Sequence, residues 1–454
     1  MTMPAPLSVV PVVRPNDLEI KRLNKLKSQF KEEFNQSVMY GIRAPGRINL
    51  IGEHIDYSGF GVLPMAIDKD IIMLINYQPS ECFEIEFRNT DFKFKPQVVV
   101  DLNINASELS WINYVKAGLR GLLDRVGLPL GKVNVLVDSN LPSGAGLSSS
   151  SALVMCSILF ADLFCKLYAN NSKFIYNAPS LNELVQYAIK SEQFVGVKQG
   201  GMDQAISTYG KVNSACYVEF TPELKATPVE LEFMSVGDPC FVVAHSNVRA
   251  DKHVTAPIHY NLRVVETRVC AYLLGVTNLK EYYDNVGGFE QCLNDISIFP
   301  KDGYTLEQVY ALLNMTPAQF KATFHPDFDI KCTTLALYKR ALHVFQEAQR
   351  VLLAEKAKTI EEFGGLMNAS QQSCRDLFDC SCDEINRLCD LAKSKGSRLT
   401  GAGWGGCTIH LIYKHELNDF LESIRPCYEG ANMDELVFVT VPSMGACLID
   451  FTTD

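Results

Sequence analysis

Segments with helical and with strand-like spacing of apolar residues alternate along the first half of the chain. Residues 17–36 place apolar side chains at helical spacing between charged ones, which predicts an amphipathic surface helix. Residues 150–168 are apolar on almost every side, which is typical of a helix buried in a core. The other predicted elements are strands at about 39–51 and in IDKDIIMLINY, FEIEFRN and KVNVLVDSN, and a helix at 181–195.

The second half opens with a buried strand, CFVVAHSN at 240–247, and a long helix is predicted to follow at 257–274. Residues 276–333 mix short helical pieces with Gly-Gly and proline breaks, so we interpret them as an insertion of low regularity. The remaining predicted elements are helices at 334–356 and 381–395 and strands in TIHLIYK, ELVFVTVP and CLIDF.

Length and composition limit the class of protein. A chain of 454 residues is too long for one compact core, which predicts two domains, and we place them at 1–225 and 226–454. Hydrophobic residues at 47% and charged residues at 21% are typical of a soluble globular protein. The net charge of −10 argues against binding to nucleic acid or an anionic membrane, since both require a basic surface.

The same composition points to the cytoplasm. The opening residues MTMPAPLSVVPVV lack the basic and the unbroken apolar regions of a signal peptide. The longest apolar run, ALVMCSILFADLF, is interrupted by Asp162 and is too short to span a bilayer. Fifteen cysteines in a chain without a secretory signal fit reduced thiols in a cytoplasmic protein.

Four cysteines lie close together in SCRDLFDCSCDEINRLC: Cys374, Cys380, Cys382 and Cys389. A zinc site is one interpretation of such a cluster. The segment has helical spacing and lacks two paired C-x2-C motifs, so buried cysteines of a helix are the favoured interpretation.

RAPGRINLIGEHIDYSG, residues 43–59, brings together Arg47, Glu53, His54 and Asp56 within ten positions. One interpretation is a strand and turn with surface charges. The other is a binding site, because polar groups gather where a turn leaves a strand, and such places often carry function. Carboxylates and an imidazole suit a polyol, whose hydroxyls both donate and accept hydrogen bonds.

The segment QGGMDQAIS contains a candidate catalytic carboxylate. Gly200 and Gly201 allow close approach of the backbone, and Asp203 follows at the apolar start of a helix. Asp203 could be an N-cap that accepts hydrogen bonds from free helix amides. Alternatively, it accepts a hydroxyl proton and is kept ionised by an arginine such as Arg47.

Two glycine-rich segments require opposite interpretations. GAGWGGC at 401–407 satisfies G-x-G-x-x-G, but it leads into the strand TIHLIYK rather than a helix, so we reject a dinucleotide site and expect close packing against a ligand or loop. LPSGAGLSSSSAL instead opens a helix, the usual place to hold an anion, although it lacks the lysine of a P-loop. An ordinary helix cap needs one serine, whereas this loop has four in a row.

Taken in order, these three segments resemble those of the GHMP sugar and isoprenoid kinases, in particular the galactokinase branch. RAPGRINLIGEHIDY resembles that branch's signature, LPSGAGLSSSSAL the phosphate loop, and LTGAGWGGCTIHL the C-terminal glycine-rich motif. The resemblance runs from about residue 38 to the end. It implies an α+β fold with a ribosomal-S5-like N-terminal domain, a ferredoxin-like C-terminal domain and an active site between them.

The resemblance also implies a reaction, in which ATP with Mg²⁺ phosphorylates the C1 hydroxyl of α-D-galactose. We expect the protein to be a monomer whose partners are the sugar and ATP. Asp203 would be the catalytic base, and Arg47 would be its partner and stabilise the transition state. The implied contacts are Arg47, Glu53, His54, Asp56, Gly200, Asp203 and Tyr260 for the sugar, Gly144, Gly146, Ser148, Ser149 and Ser150 for the ATP phosphates, and Glu192 with Ser150 for Mg²⁺.

Alternative functions within the family stay open. N-acetylgalactosamine kinases share the signature, but Tyr260 falls where galactokinases have a sugar-contacting tyrosine, which favours galactose. A fungal galactose and ATP sensor without activity is the other alternative, and it lacks the Ser-Ala pair after the serine run. The chain has Ser151 and Ala152 there, which favours an enzyme.

Overall fold

The fold is described from a computed structural model that covers residues 8–14, 20–105, 108, 110–142, 146–196, 200–248, 257–326 and 328–452. Its strands are β1 (Val12–Val13), β2 (Tyr40–Ile51), β3 (Leu63–Gln78), β4 (Phe83–Asn89), β5 (Gln97–Val99), β6 (Gly131–Ser139), β7 (Ser214–Glu219), β8 (Lys225–Glu230), β9 (Pro239–His245), β10 (Tyr304–Thr305), β11 (Thr334–Leu335), β12 (Gly396–Thr400), β13 (Cys407–Tyr413), β14 (Val437–Thr440) and β15 (Cys447–Asp450). Its α-helices are α1 (Ile20–Phe34), α2 (Trp111–Val126), α3 (Ser149–Asn170), α4 (Leu181–Ser191), α5 (Met202–Tyr209), α6 (Tyr260–Leu273), α7 (Leu279–Val286), α8 (Phe289–Asp295), α9 (Leu306–Leu313), α10 (Pro317–Phe324), α11 (Leu337–Ala354), α12 (Ile360–Ser373), α13 (Asp383–Leu391), α14 (Leu417–Ile424) and α15 (Met433–Leu436).

A seven-stranded mixed sheet in the order β1-β15-β2-β3-β6-β4-β5 forms the first layer. The pairs β1–β15 and β4–β6 are parallel, and the others are antiparallel. The amphipathic helix α1 covers one face, where Leu26 and Phe30 belong to a cluster with Ile72 and Leu74 of β3. The predicted helix at 17–36 is therefore confirmed, and its apolar stripe packs on a sheet.

Helix α3 belongs to the main core. The residues on the face of the first sheet opposite to α1 belong to the same core. Every residue from Ser151 to Leu167 is buried, as the apolar run predicts. In the described part of the chain, α3 is the one helix long and apolar enough to cross a membrane, and 83% of its most apolar stretch is buried inside the protein. That burial is typical of the core helix of a globular protein.

The second sheet has four antiparallel strands in the order β12-β13-β9-β14. Phe241 and Val243 of β9 join the main core, whereas Val242 and Ala244 pack in a separate cluster with residues of α13 and α14. The glycine-rich turn at 401–406 connects β12 to β13, so a strand lies on both of its sides. This context confirms that the segment is not a dinucleotide-binding turn.

Both sheets with their helices confirm the predicted α+β class. The proposed boundary at residue 225 coincides with the first residue of β8, which pairs with β7, and β15 returns to the first sheet beside β2. The sheets therefore do not divide the chain at a single point. The region 276–333 is more helical than its glycines and prolines indicate, since it contains α7, α8, α9 and α10.

The cysteine cluster has the structure of a packed helical segment. Cys374 opens a short π-helix (Cys374–Phe378) and is buried together with Cys380, while Cys382 and Cys389 are half-buried near or in α13. All fifteen cysteines are free thiols. In the residues that the structure describes, no group of three or more His, Cys, Asp or Glu side chains is placed to hold a metal ion.

Candidate active site

Arg47 and Asp203 form a buried ion pair at the centre of the site. The pairing of β2 with β3 shifts register between Pro45 and Arg47, and such irregularities redirect side chains. Arg47 Nε and Nη2 donate to the two carboxylate oxygens of Asp203 at 2.7 and 3.0 Å. Burial alone would lower the pKa of Arg47, but the charge of Asp203 raises it above its usual value, so Arg47 stays charged.

The carboxylate of Asp203 connects three parts of the chain. Asp203 lies in the first turn of α5, and the N-cap of that helix is Gly201, with a left-handed φ of 105°. The N-cap interpretation of Asp203 is therefore wrong. Its Oδ2 also accepts a hydrogen bond from Ser148 Oγ at 2.5 Å, which ties α5 and β2 to the serine loop.

The serine loop contacts Arg47 through its backbone. Arg47 Nη1 donates to the carbonyl of Gly146 at 2.6 Å, and the Arg47 amide donates to the carbonyl of Leu147 at 3.2 Å. These contacts place a guanidinium directly behind a loop that has no cationic side chain of its own. Gly144 lies outside the described residues.

Ser148 precedes α3 in a left-handed conformation with φ 59° and ψ 39°, and its hydroxyl bonds to Asp203 rather than capping the helix. The ordinary cap interpretation of the serine run is therefore wrong for this residue. Ser149 and Ser150 are the first residues of α3 and are half-buried. The free N–H groups of a helix start are suited to an anion such as phosphate.

Gly200 and Asp56 are in direct contact. A Cβ at position 200 would lie 2.0 Å from Asp56 Oδ2, so no residue except glycine fits without displacing that carboxylate. Burial, with help from the neighbouring Asp203 and Glu53, raises the pKa of Asp56 to about 7, although the backbone N–H of Tyr57 opposes the shift. Asp56 therefore changes charge near neutral pH.

Glu53 is buried beside the glycine-rich turn. Its Oε1 accepts a hydrogen bond from the Gly401 amide at 2.9 Å, and Arg398 Nη2 lies 3.5 Å away. Burial raises the pKa of Glu53, while Arg398 and Arg47 lower it. Gly401 has φ +89°, and a Cβ there would lie 2.9 Å from the carbonyl oxygen of Gly146, so the two glycine-rich segments pack closely as expected.

His54 is held by protein groups on both ring nitrogens. Nε2 lies 2.9 Å from the carbonyl oxygen of Ala402 and Nδ1 lies 3.0 Å from the Tyr57 hydroxyl. Because a carbonyl oxygen only accepts, Nε2 carries the proton and Nδ1 accepts from Tyr57. Its predicted role with a sugar hydroxyl stays a prediction, since the ring would first have to exchange one of these partners.

Tyr260 begins α6 and lies among aromatic rings next to the carboxylates. Its ring centroid is 5.6 Å from that of His54 and 5.7 Å from that of Tyr57. Burial, followed by the charges of Asp56 and Asp203, raises the pKa of Tyr260 well above its usual value. The phenol therefore stays protonated and can donate to a ligand oxygen.

Glu192 lies at the start of a short 3₁₀ helix (Glu192–Val195) after α4 and is fully buried. Gln204 Nε2 donates to Glu192 Oε1 at 2.7 Å and lies 3.5 Å from Ser151 Oγ. The structure thus brings Glu192 to the start of α3, next to the serine run. Ser150, its predicted fellow ligand, immediately precedes Ser151.

Three further buried polar residues belong to this region and were not predicted: His343, Glu347 and Arg398. His343 and Glu347 are one turn apart in α11 and contact the backbone of the segment 52–56, which we call the signature loop. The signal for them lies in RALHVFQEAQRV, where two polar residues at i and i+4 fall on the apolar face of the helix.

Three family descriptions match the chain. They are the galactokinase galactose-binding signature at residues 28–77, the GHMP kinase N-terminal domain at 113–211 and the GHMP kinase C-terminal domain at 350–429. The first covers Arg47 and the signature loop, and the second covers the serine loop, Glu192 and Asp203. The three matches follow the order of the motifs along the chain and confirm the GHMP kinase fold.

Similar proteins agree over most of the chain. A galactokinase of Dictyostelium discoideum is 36% identical, with 95% of each chain covered, and one of Saccharomyces cerevisiae is 34% identical, with 90% and 91% covered. The crystal structure of Lactococcus lactis galactokinase complexed with galactose matches with a TM-score of 0.67 at 27% identity, covering 94% of this chain and 99% of that one. A Methanococcus jannaschii mevalonate kinase, at 17% identity and a TM-score of 0.56, shares the fold. The chain belongs to the galactokinase family of the GHMP kinases.

Proposed function

We propose that the protein is a galactokinase, which transfers the terminal phosphoryl group of ATP to the C1 hydroxyl of α-D-galactose and forms galactose 1-phosphate. The observation that carries this proposal is the buried Arg47–Asp203 pair. It joins β2, which leads into the signature loop, to α5, and both of its members bond to the serine loop. The names of the relatives and of the galactose-bound neighbour support galactose as the acceptor.

Asp203 is proposed as the group that orients the C1 hydroxyl and accepts its proton. Phosphoryl transfer depends mainly on positioning and on charge stabilisation, and its transition state is loose. Orientation of the hydroxyl by Asp203 therefore contributes more than early removal of its proton. Arg47 keeps the carboxylate ionised and, through its contact with Gly146, places positive charge beside the phosphate loop.

ATP is proposed to bind with its phosphates at Gly144, Gly146 and the serines 148–150. Glu192 and Ser150 would hold Mg²⁺, which neutralises phosphate charge when bound. One carboxylate and one hydroxyl suit an ion that keeps several waters and takes phosphate oxygens as ligands. Glu192 fits such a role because it is a buried carboxylate beside the start of α3.

The sugar is proposed to lie against Asp56, Gly200, Glu53, His54 and Tyr260. Tyr260 supports galactose over N-acetylgalactosamine, because galactokinases have a sugar-contacting tyrosine at this position and its hydroxyl can donate to the sugar. A silent sensor is the second alternative, and the pair Ser151–Ala152 supports an enzyme instead. We also propose a monomeric protein with a cytoplasmic location, which the fifteen free thiols support.

One experiment tests these proposals together. The purified protein is incubated with Mg-ATP and galactose, N-acetylgalactosamine, glucose or mevalonate, and the formation of ADP is measured. We expect turnover with galactose and a larger kcat/KM for it than for N-acetylgalactosamine. The reverse ratio would support the N-acetylgalactosamine kinase, and galactose binding without ADP formation would support the sensor.

A further inference from the structure

We propose that Glu347 and His343 are positioning residues for the sugar, because they fix the backbone of the signature loop and thereby the direction of the Glu53 carboxylate. The proposal rests on the proposed function. Neither side chain is among the predicted substrate contacts, and both are fully buried in α11. We call the two residues the loop clamp.

Glu347 holds the loop through two consecutive backbone amides. Its Oε1 accepts from the Gly52 amide at 2.9 Å, the Glu53 amide at 3.3 Å and the Ser370 hydroxyl at 2.6 Å, while Oε2 accepts from Arg350 Nε at 2.7 Å. Successive N–H groups that converge on one point form an anion-binding nest. Here the protein supplies the anion itself.

His343 holds the backbone carbonyl of Glu53, whose amide is bonded to Glu347. Its Nε2 donates to the Glu53 carbonyl at 3.0 Å, and its Nδ1 accepts from the Ser373 hydroxyl at 2.9 Å. Burial lowers the pKa of His343 to about 4, so the ring is neutral and this tautomer is kept at neutral pH. Both backbone polar groups of Glu53 are therefore fixed by side chains one turn apart on one helix.

The loop needs such support because its backbone is unusual. Gly52 has φ +109° and His54 has φ +62°, so left-handed residues lie on both sides of Glu53. A non-glycine residue keeps this conformation only where its surroundings determine it. With the backbone held by α11, the Glu53 carboxylate accepts from the Gly401 amide in the turn between β12 and β13, and the proposed sugar-binding residues of the loop keep their spacing.

The first test compares Glu347→Gln with Asp162→Asn. Asp162 is a suitable control because it is another buried carboxylate, bonded to Lys166 at 2.7 Å and to Tyr176 at 2.8 Å, with no contact to the signature loop. We expect Glu347→Gln to raise the KM for galactose about tenfold and leave the KM for ATP within about twofold, as for one weakened charge-assisted hydrogen bond. Asp162→Asn should lower the melting temperature about as much as Glu347→Gln does, but it should change neither the KM for galactose nor the KM for ATP.

This split separates positioning from stability. A variant that only unfolds more easily lowers the concentration of active enzyme and hence the apparent kcat, but the KM of the folded molecules is unchanged. An unchanged galactose KM in Glu347→Gln would overturn the proposal. So would an equal rise in both KM values, which would indicate a general disturbance of the site.

A second pair of variants tests His343. In His343→Gln the amide N–H can still donate to the Glu53 carbonyl, whereas His343→Phe keeps the ring packed against Phe378 but loses the donor. We expect the galactose KM to rise about tenfold in the phenylalanine variant and to recover to within about twofold in the glutamine variant. Equal effects of both variants would contradict the clamp.

Galactose binding without ATP, measured by calorimetry, separates this inference from the proposed function. If the wild-type protein binds galactose but forms no ADP, the kinase proposal fails and the clamp is tested by the dissociation constants of the same variants. If it forms ADP and Glu347→Gln has a normal galactose KM, only the clamp fails. A wild-type protein that neither binds nor phosphorylates galactose contradicts both.

Discussion

The two sides of the active site are built from different chemistry. The acceptor side, Arg47, Glu53, Asp56 and Asp203, is rich in charge, and Arg47, Glu53 and Asp203 each bond to a group from another part of the chain. The donor side, residues 146–151, contains hydroxyls and the free amides of a helix start and no ionised side chain. Arg47 of the acceptor side supplies positive charge to the donor side through its hydrogen bond to the carbonyl of Gly146.

The difference follows the charge of each substrate. Galactose is neutral, so the ionised groups that orient it must be compensated within the protein, because a buried charge without a partner is costly. ATP brings its own charged phosphates and, in the function proposed above, Mg²⁺, so the loop that receives them can be neutral. The acceptor side should therefore control galactose binding and the chemical step, and the donor side should control ATP binding.

The largest effect should come from Asp203. We expect Asp203→Ala to lower kcat by about 10²–10⁴-fold, or roughly 3–5 kcal/mol of barrier, since a positioned general base contributes that much. Steady-state kinetics at saturating galactose and ATP measure it. Asp203→Asn, which keeps the shape beside Arg47, is the control for folding. A large loss of melting temperature with preserved turnover would indicate a structural role.

The next effect concerns pH and Asp56. With a pKa of about 7, Asp56 ionises in the free enzyme between pH 6 and 8, and we expect kcat/KM for galactose to rise roughly tenfold over that range. Asp56→Asn should flatten this rise. A steep rise that persists in the variant would assign the titration to another group.

Stability should change with pH in the opposite direction. The pKa of Asp56 is raised on folding above its ordinary value of 3.8, so the folded state holds the proton more tightly. Its contribution to stability is complete below pH 4 and is lost as pH rises through about 7. Wild-type protein should therefore lose melting temperature relative to Asp56→Asn over this window, even as its activity rises.

Ser148 joins the two sides, since it precedes α3 and donates to Asp203. We expect Ser148→Ala to raise the KM for ATP about fivefold, because the variant loses the hydrogen bond that fixes the serine loop to Asp203, and to leave the galactose KM within about twofold. Varying each substrate at saturation of the other measures this split. If the galactose KM rises instead, Ser148 belongs functionally to the acceptor side.

Motifs of local character could be predicted from the sequence. The buried helix α3 follows from an apolar run, and the strand TIHLIYK identifies GAGWGGC as a turn between strands. Helices α2 and α12 could not be predicted in this way, because each contains two glycines, which usually end helices. Gly118 is needed where α2 packs on α3, since a Cβ there would lie 2.5 Å from the Cβ of Ser157.

Contacts between segments that are distant along the chain could not be predicted from the sequence. The residue types of Arg47 and Asp203 indicate a possible pair, but their 2.7 Å contact depends on how β2 and α5 pack. The roles of Glu347 and Arg398 are even harder to predict from the sequence, because each hydrogen-bonds to residues about 300 or more positions away. His54 is a related case: its motif predicts a sugar contact, and the sequence does not show that Tyr57 and the carbonyl of Ala402 hold its two ring nitrogens.

The smallest expected effect, that of Tyr260→Phe, tests the choice of sugar on the acceptor side. Removing one hydroxyl donor beside the proposed sugar site should lower the ratio of kcat/KM for galactose to that for N-acetylgalactosamine about threefold, with the ATP KM unchanged. Tyr57→Phe is a matched control, because its hydroxyl bonds to His54 within the protein, so it should lower the melting temperature and leave the ratio unchanged. An unchanged ratio in Tyr260→Phe would remove Tyr260 as an argument for galactose over N-acetylgalactosamine. The preference would then have to come from the space around Asp56 and Gly200, where a Cβ already has no room.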